Sequence, residues 1–221
     1  MDESSKSRLH FTREERAVLH GRILDIGAGA DPVHPGAVAY DLAHGDANRI
    51  RDFAPESFDC VYSSHCLEHM HDPVASLRNW WSLVRPGGHL FLIVPDEDLY
   101  EQGVFPSRFN SDHKSTFTIG KKQSWSPRSS NLFELIRDLP RASIVRLHLN
   151  DIGYRRDLQT HGRTKRTGPA RMLTRLYRSL GQRGWLPQST TVEVLYASTG
   201  GIDQTRGSAL AQIEAIVRKE S

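Results

Sequence analysis

The chain has 221 residues, of which 38% are hydrophobic and 25% are charged, a composition typical of a soluble globular protein with one core. No apolar run approaches the roughly 20 residues that a membrane-spanning helix needs. The charged start of the chain lacks the apolar stretch of a secretory signal. Two cysteines exclude a disulfide framework, so a reducing cytoplasm is the expected location.

The predicted elements begin with a short helix. Thr12 and Glu15 form a capping-box pattern that predicts a helix over residues 12–20. Asp72 and Pro73 predict the N-cap and first residue of a second helix, which contributes Trp80 and Trp81 to the core. Apolar runs predict strands over residues 22–27, 36–42 and 57–64.

The second half of the chain continues the alternation of helices and strands. Arg85–Gly88 ends the second helix, and the apolar run after it predicts a strand over residues 89–94. We further predict a helix over residues 130–139 and a strand over residues 143–149, whereas the pattern of residues 211–219 fits either a helix or a strand. This order is typical of a doubly wound α/β sheet.

Four polar segments follow the predicted strands, at residues 25–31, 41–46, 63–71 and 95–101. In a doubly wound sheet, ligands bind beyond the carboxyl ends of the strands. The first segment has Gly27 and Gly29 but lacks the third glycine of a dinucleotide-binding loop. Asp25 and Asp31 would repel a pyrophosphate and suit a ligand with an ammonium and a sulfonium group. This loop argues against NAD.

Five motifs in this order resemble the class I S-adenosylmethionine-dependent methyltransferases, and the nearest branch is that of the small bacterial type 11 enzymes. The motifs are Asp25-x-Gly27-x-Gly29, Asp41, Asp59, Leu67-Glu68-His69 and Arg85-Pro86-Gly87-Gly88. The resemblance covers about residues 20–100. It implies a Rossmann-like, seven-stranded, mostly parallel sheet and favours a final strand over residues 211–219. The last two strands of this fold are usually joined by a short hairpin, whereas here a basic insertion precedes the last strand.

The same resemblance implies S-adenosylmethionine as cofactor and a set of residues that bind it. Gly27 and Gly29 would approach its methionine part, with Asp25 near the ammonium group. Asp41 would accept hydrogen bonds from the ribose. The remaining implied contacts are Asp46 and Ala47 at the adenine, and Ser64 and His65 on the methionine side.

Methyl transfer to oxygen requires a base within reach of the acceptor. An imidazole titrates near neutrality, so His113 is the first candidate, followed by Asp96 and His69. Each of these could equally contact substrate or form a structural hydrogen bond. The histidine-rich segment 65–71 has some character of a metal site, but Cys66 and His69 lack a matching second pair. The sequence therefore predicts no metal.

Positive charge is concentrated late in the chain. Residues 152–186 hold nine basic residues and one acid, a local charge of +8 within a total of +3. We predict a single domain over residues 1–221 with a basic insertion at 152–205, including a helix from Pro169 to Gly181. The insertion is a hypothetical site for a phosphate-bearing acceptor. A solvated face, peripheral membrane contact and a homodimer stay open as alternatives.

The predicted function is O-methylation of a sugar or small-metabolite hydroxyl in glycan or natural-product biosynthesis. One alternative is N-methylation of a small heterocycle or amine. An alternative of another class is a non-catalytic module that binds RNA or lipid through the insertion. Nucleic acid is disfavoured as a partner because Tyr154, Tyr177 and Trp185 are the only aromatic residues of that stretch.

Overall fold

The computed structural model describes residues 3–162 and 201–221, with isolated positions at 172, 176, 179–180 and 183–185. The helices of this part are α1 (Glu3–His10), α2 (Arg13–Ala17), α3 (Pro73–Leu83) and α4 (Leu132–Arg137). The strands are β1 (Ile23–Ile26), β2 (Val38–Tyr40), β3 (Phe58–Ser64), β4 (Val84–Pro95), β5 (Thr116–Thr118), β6 (Ser129–Asn131), β7 (Ala142–Asn150) and β8 (Gln212–Lys219). No helix among the described residues is long and apolar enough to cross a membrane.

The main sheet has the strand order β2-β1-β3-β4-β8-β7. Its first four strands are parallel, and β8 runs antiparallel to both of its neighbours. The predicted doubly wound α/β class is confirmed, and so is the final strand. Since β7 and β8 are adjacent in the sheet, residues 151–211 connect two neighbouring strands. The predicted helix from Pro169 to Gly181 lies outside the described residues, apart from isolated positions.

The prediction of seven strands in this sheet is wrong for the described part of the chain. Six strands form the main sheet, and β5 and β6 form a separate parallel pair. Residues 41–57, between β2 and β3, form turns. Another parallel strand at the β2 edge would need a crossover of about a dozen residues on each side, and this segment is too short for that.

The N-terminal helices cover one face of the sheet. The Thr12 and Glu15 capping box is present at the start of α2, although the helix ends earlier than predicted. α1 was not predicted because its residues are largely polar and lack an apolar stripe. It is held by side-chain contacts: Arg8 donates to the Pro32 carbonyl at 2.9 Å, and Ser5 Oγ lies 2.7 Å from Asp31.

Helix α3 begins as predicted and packs on the opposite face. Asp72 accepts a hydrogen bond from the Ala75 backbone N–H at 2.9 Å, and Pro73 is the first helical residue. Trp80 and Trp81 are fully buried, which confirms their place in the core. Asp59, a motif residue, accepts from the backbone N–H of Arg22 and pairs with Arg85. Asp59 therefore connects β3 to the residue that precedes β1 and to the start of β4.

Candidate active site

A cavity of about 520 Å³ opens at the carboxyl ends of β1, β2 and β3. Its size falls within the usual range of small-molecule and cofactor sites, about 300–1,000 Å³. Its position agrees with the sheet edge at which the sequence places a ligand. It is lined by Gly27, Gly29, Asp41, Leu42, Gly45, Asp46, Ala47, Asn48, His65, Cys66, His69, Met70, His71, Asp112 and Lys114.

The glycine loop after β1 brings backbone directly onto the cavity wall. Both glycines have positive φ, +83° at Gly27 and +53° at Gly29, a region that side chains with a Cβ rarely adopt. A Cβ on Gly27 would collide with Cys66 at 2.8 Å, whereas a Cβ on Gly29 would meet no atom within 4 Å. Gly29 therefore leaves open space in the cavity that a ligand can occupy.

Asp25 and Asp31 do not lie on this wall. The Asp25 carboxylate accepts from the Val33 backbone N–H at 2.6 Å, and burial raises its pKa to about 6. Asp31 pairs with Arg8 at 2.6 Å, which compensates its charge. The acidic character predicted for the glycine loop thus belongs to the neighbouring loop, which carries Asp41 and Asp46.

That neighbouring loop presents two carboxylates to the cavity. The backbone N–H of Ala43 lowers the pKa of Asp41, and hydrogen bonds from Asn48 lower that of Asp46. Both side chains are consequently anionic at neutral pH. Helix α3 holds the loop from behind, since Trp80 Nε1 donates to the Ala47 carbonyl at 2.8 Å. The predicted contacts Asp41, Asp46 and Ala47 therefore share one wall.

The residues predicted beyond β3 separate into two positions. His65 lies on the cavity wall with φ +51°, and its backbone N–H donates to the Ile93 carbonyl at 3.0 Å. Ser64 is buried at the end of β3 and is not among the lining residues. His65 follows the end of β3 with a positive φ and is held by Ile93, so its side chain does not continue the direction of the strand residues.

The three predicted catalytic residues lie in three environments. His69 lines the cavity, and its Nδ1 lies 2.7 Å from Asp112 Oδ2. His113 is buried behind it, with ring centroids 5.0 Å apart. Asp96 faces a second cavity of about 440 Å³, together with Lys121 and others. Burial raises the pKa of Asp96 to about 6.

Several lining residues were not predicted as site residues. Asp112 and Lys114 flank the predicted candidate His113 in the sequence, so their position beside it was available as a signal. Lys114 Nζ donates to the His69 carbonyl at 2.9 Å and lies 3.2 Å from Asp112 Oδ1. Leu42, Asn48 and Met70 carry no comparable sequence signal.

Glu68 lies at the centre of a histidine cluster next to the cavity. Its side chain is fully buried, and its Oε1 is 3.5 Å from His65 Nδ1. The Nε2 atoms of His69 and His113 each lie 3.9 Å from the same oxygen. Burial acts to raise the pKa of Glu68, but the imidazoles outweigh it and the net shift is downward.

A doubly wound sheet with a glycine-loop cavity at its carboxyl edge defines a Rossmann-like protein. Residues 24–92 match the family described as "Methyltransferase domain". The match lies within this segment, and it confirms the predicted resemblance to the class I S-adenosylmethionine-dependent methyltransferases. The cofactor of the family is S-adenosylmethionine.

Similar proteins are known in sequence and in structure. A 55-residue segment is 42% identical to a ubiquinone biosynthesis O-methyltransferase of Ralstonia nicotianae, and it covers 25% of this chain and 22% of that protein. The chain thus matches about a fifth of the relative's length. The Bacillus subtilis protein YcgJ is 14% identical, with a TM-score of 0.45, over 90% of this chain and 92% of that one. A Haemonchus contortus phosphoethanolamine N-methyltransferase, solved with S-adenosyl-L-methionine, is 14% identical, with a TM-score of 0.47, over 90% and 49%.

Proposed function

We propose that this chain transfers the methyl group of S-adenosylmethionine to a hydroxyl of a sugar or another small metabolite, in glycan or natural-product biosynthesis. The observation that carries the proposal is the composition of one cavity. It joins the glycine loop and the Asp41 loop to the pair His69 and Asp112. The family match supports the reaction class, and the partial similarity to an O-methyltransferase supports oxygen as the acceptor atom.

The residues of the wall fit the cofactor. Asp41 would accept hydrogen bonds from the ribose, and Asp46 with Ala47 would meet the adenine. The open space at Gly29 would admit the methionine part, next to Gly27 and His65. When bound, the cofactor supplies an electrophilic methyl group on a positively charged sulfur, and an anionic wall is complementary to that charge. Asp25 would act indirectly, by holding the loop at Val33.

The acceptor would lie at the end of the cavity where His69, Asp112 and Lys114 meet. Its oxygen forms the new bond to carbon, its proton leaves, and the electrons of the broken bond stay on sulfur. Of the three predicted catalytic residues, His69 alone lines this cavity. Lys114 and the +8 charge of residues 152–186 favour an anionic or phosphate-linked acceptor.

Calorimetric titration of the full chain with S-adenosylmethionine and S-adenosylhomocysteine tests the proposal, with NAD as the comparison ligand. We expect saturable micromolar binding that is lost in Asp41→Ala and retained in Asp138→Ala, which changes an exposed aspartate at the end of α4. Methyl transfer is then measured on neutral and phosphorylated hydroxyl acceptors. A folded, cofactor-free sample that binds no S-adenosylmethionine but binds RNA in a salt-sensitive manner would overturn the proposal.

A further inference from the structure

We propose that Glu68, His69 and His113, assisted by His65, bind a divalent transition-metal ion. The first observation is the state of the Glu68 carboxylate. It is fully buried, and imidazole nitrogens surround its Oε1, with His65 Nδ1 at 3.5 Å and the Nε2 atoms of His69 and His113 at 3.9 Å. Burial of an anion is costly unless positive charge compensates it, and neutral imidazoles carry none. A bound cation would compensate this charge.

The spacing of the ligand atoms fits an ion. Glu68 Oε1 lies 3.5 Å from His65 Nδ1 and 3.9 Å from the Nε2 atoms of His69 and His113. One ligand atom each from Glu68, His69 and His113 lies within 4.8 Å of the others. Nitrogen and carboxylate ligands bind Zn²⁺ at about 2.0–2.2 Å, so neighbouring ligand atoms lie roughly 3–4 Å apart. A direct imidazolium–carboxylate hydrogen bond would be shorter, about 2.7–2.9 Å.

The outer nitrogens of the three rings supply an independent argument. His69 Nδ1 lies 2.7 Å from Asp112 and His113 Nδ1 lies 2.6 Å from Glu101. His65 Nε2 lies 3.1 Å from Gln212 Oε1. A carboxylate or amide oxygen accepts hydrogen bonds only, so each outer nitrogen carries the proton. In a neutral ring the inner nitrogen then has a lone pair directed towards Glu68, which is the usual outer-sphere arrangement of metal-binding histidines.

The donor set selects the kind of ion. Imidazole nitrogens suit Zn²⁺, Fe²⁺, Co²⁺ and Ni²⁺, whereas Mg²⁺ and Ca²⁺ prefer oxygen ligands. We therefore assign the site to an ion of the Zn²⁺ or Fe²⁺ kind. This assignment departs from the absence of a metal predicted from sequence, because the fold adds His113 to the Glu68–His69 pair.

A second group of possible ligands consists of Glu15, His148 and Glu214. Its carboxylates differ from that of Glu68 in their hydrogen-bond partners. Glu214 Oε1 accepts from Asn150 Nδ2 at 2.6 Å and from Gln212 Nε2 at 2.8 Å. Glu15 Oε2 accepts from the Thr12 backbone N–H at 2.6 Å, and the cationic Arg146 lies 3.5 Å from Glu15 Oε1. The carboxylates of this group therefore have partners within the protein, and His148 serves as a matched control.

The ion would lie next to the cavity, since His65 and His69 belong to both the cluster and the cavity wall. An acceptor hydroxyl bound to it would lose its proton more readily, and His69 would then act as a ligand rather than as the base. This role rests on the proposed function, whereas binding of the ion does not.

The test uses the full chain without an affinity tag, stripped with a chelator. Co²⁺ is added while its visible absorption is recorded, Zn²⁺ is then used to displace it, and Mg²⁺ is the comparison ion. We expect one Co²⁺ per chain and displacement by Zn²⁺ but not by Mg²⁺. Glu68→Gln and His69→Ala should abolish binding, and Glu101→Gln should weaken it about 10- to 100-fold. His148→Asn should bind as the natural chain does.

Two outcomes would overturn the assignment. One is the absence of stoichiometric Co²⁺ and Zn²⁺ binding to the folded natural chain. The other is binding that survives with unchanged affinity in folded Glu68→Gln and His69→Ala. His69 is partly exposed at the cavity, so His69→Ala keeps the test decisive if Glu68→Gln fails to fold. Because metal binding is measured without methyl transfer, its failure is separate from failure of the proposed function.

Discussion

Trp80 donates a hydrogen bond of 2.8 Å from its indole Nε1 to the backbone carbonyl oxygen of Ala47. The ring is fully buried on α3, whereas Ala47 and Asp46 lie on the cavity wall. Asn79 adds a second attachment, since its Nδ2 donates to the Ile50 carbonyl at 3.1 Å. The core thus positions the loop that we assign to the adenosine part of the cofactor.

Trp80→Phe should remove the hydrogen bond to Ala47 while an aromatic ring stays in the core. The ring stays apolar, but the Ala47 carbonyl loses its donor, which costs about 1–3 kcal/mol of unfolding free energy. We also expect weaker S-adenosylmethionine binding with little change in kcat. Calorimetry and urea unfolding measure both. Trp81→Phe is the matched control, because Trp81 donates to Pro140 at 2.9 Å, away from the cavity, and should lower stability alone.

Gly29→Ala should fill the space where the cofactor is expected. A Cβ at this position meets no protein atom within 4 Å, so its steric effect falls on the ligand. The positive φ adds a backbone cost of roughly 1–2 kcal/mol. We expect at least a tenfold loss of S-adenosylmethionine affinity. Gly120→Ala carries the same backbone cost at φ +68° in open space outside the cavity, and an equal loss of affinity there would contradict the prediction.

Two buried carboxyl groups should make stability fall as pH rises. Burial raises the pKa of Asp25 and of Asp96 from 3.8 to about 6. Such groups bind more protons in the folded than in the unfolded chain. Their contribution to the unfolding free energy is therefore present below about pH 4 and is lost as pH rises to about 6. Each shift corresponds to about 3 kcal/mol.

Asp25→Asn isolates one of these contributions. The amide oxygen can still accept from Val33, but the titration is removed. Relative to the natural chain, the variant should gain about 3 kcal/mol of unfolding free energy between pH 4 and pH 7. Urea unfolding over this range is the measurement, with Asp138→Asn as an exposed control. Parallel pH profiles for Asp25→Asn and the natural chain would contradict the prediction.

His69→Asn should lower kcat on a hydroxyl acceptor by about 10² to 10⁴ and leave S-adenosylmethionine affinity nearly unchanged. The reason is that His69 lies at the acceptor end of the cavity, whether it takes the proton itself or holds an ion. Steady-state kinetics and calorimetry together measure the two effects. An unchanged kcat would favour an amine acceptor, which needs less help from a base.

Local sequence patterns were sufficient to predict many of the helices and strands. The capping box of Thr12 and Glu15 and the Asp72–Pro73 start of α3 depend on neighbours within a few residues, so their geometry is local. The apolar runs of β3 and β4 are buried on both faces of the sheet and need no partner to be recognised. The sheet edge that carries the cavity could be predicted from the polar residues that follow successive parallel strands.

The charge pattern of the glycine loop could not be predicted in the same way. Asp31 is compensated by Arg8 on a helix whose polar sequence gives no periodic signal. Successive residues Ser64 and His65 also differ in whether they reach the cavity. Both outcomes depend on contacts between segments far apart in the chain.

The sequence by itself determined the α/β class, the order of most elements and the resemblance to methyltransferases, because the first two follow from apolar periodicity and the third from short motifs. The tertiary structure alone decided which side chains meet. Glu68 and His69 form an incomplete group in the sequence, and Glu101 and Gln212 have no visible connection to them. The folded sheet brings His113, with Glu101 behind it, to the same buried carboxylate. Folding thus encloses the Glu68 carboxylate within a cluster of imidazoles, in a turn that looks ordinary in the sequence.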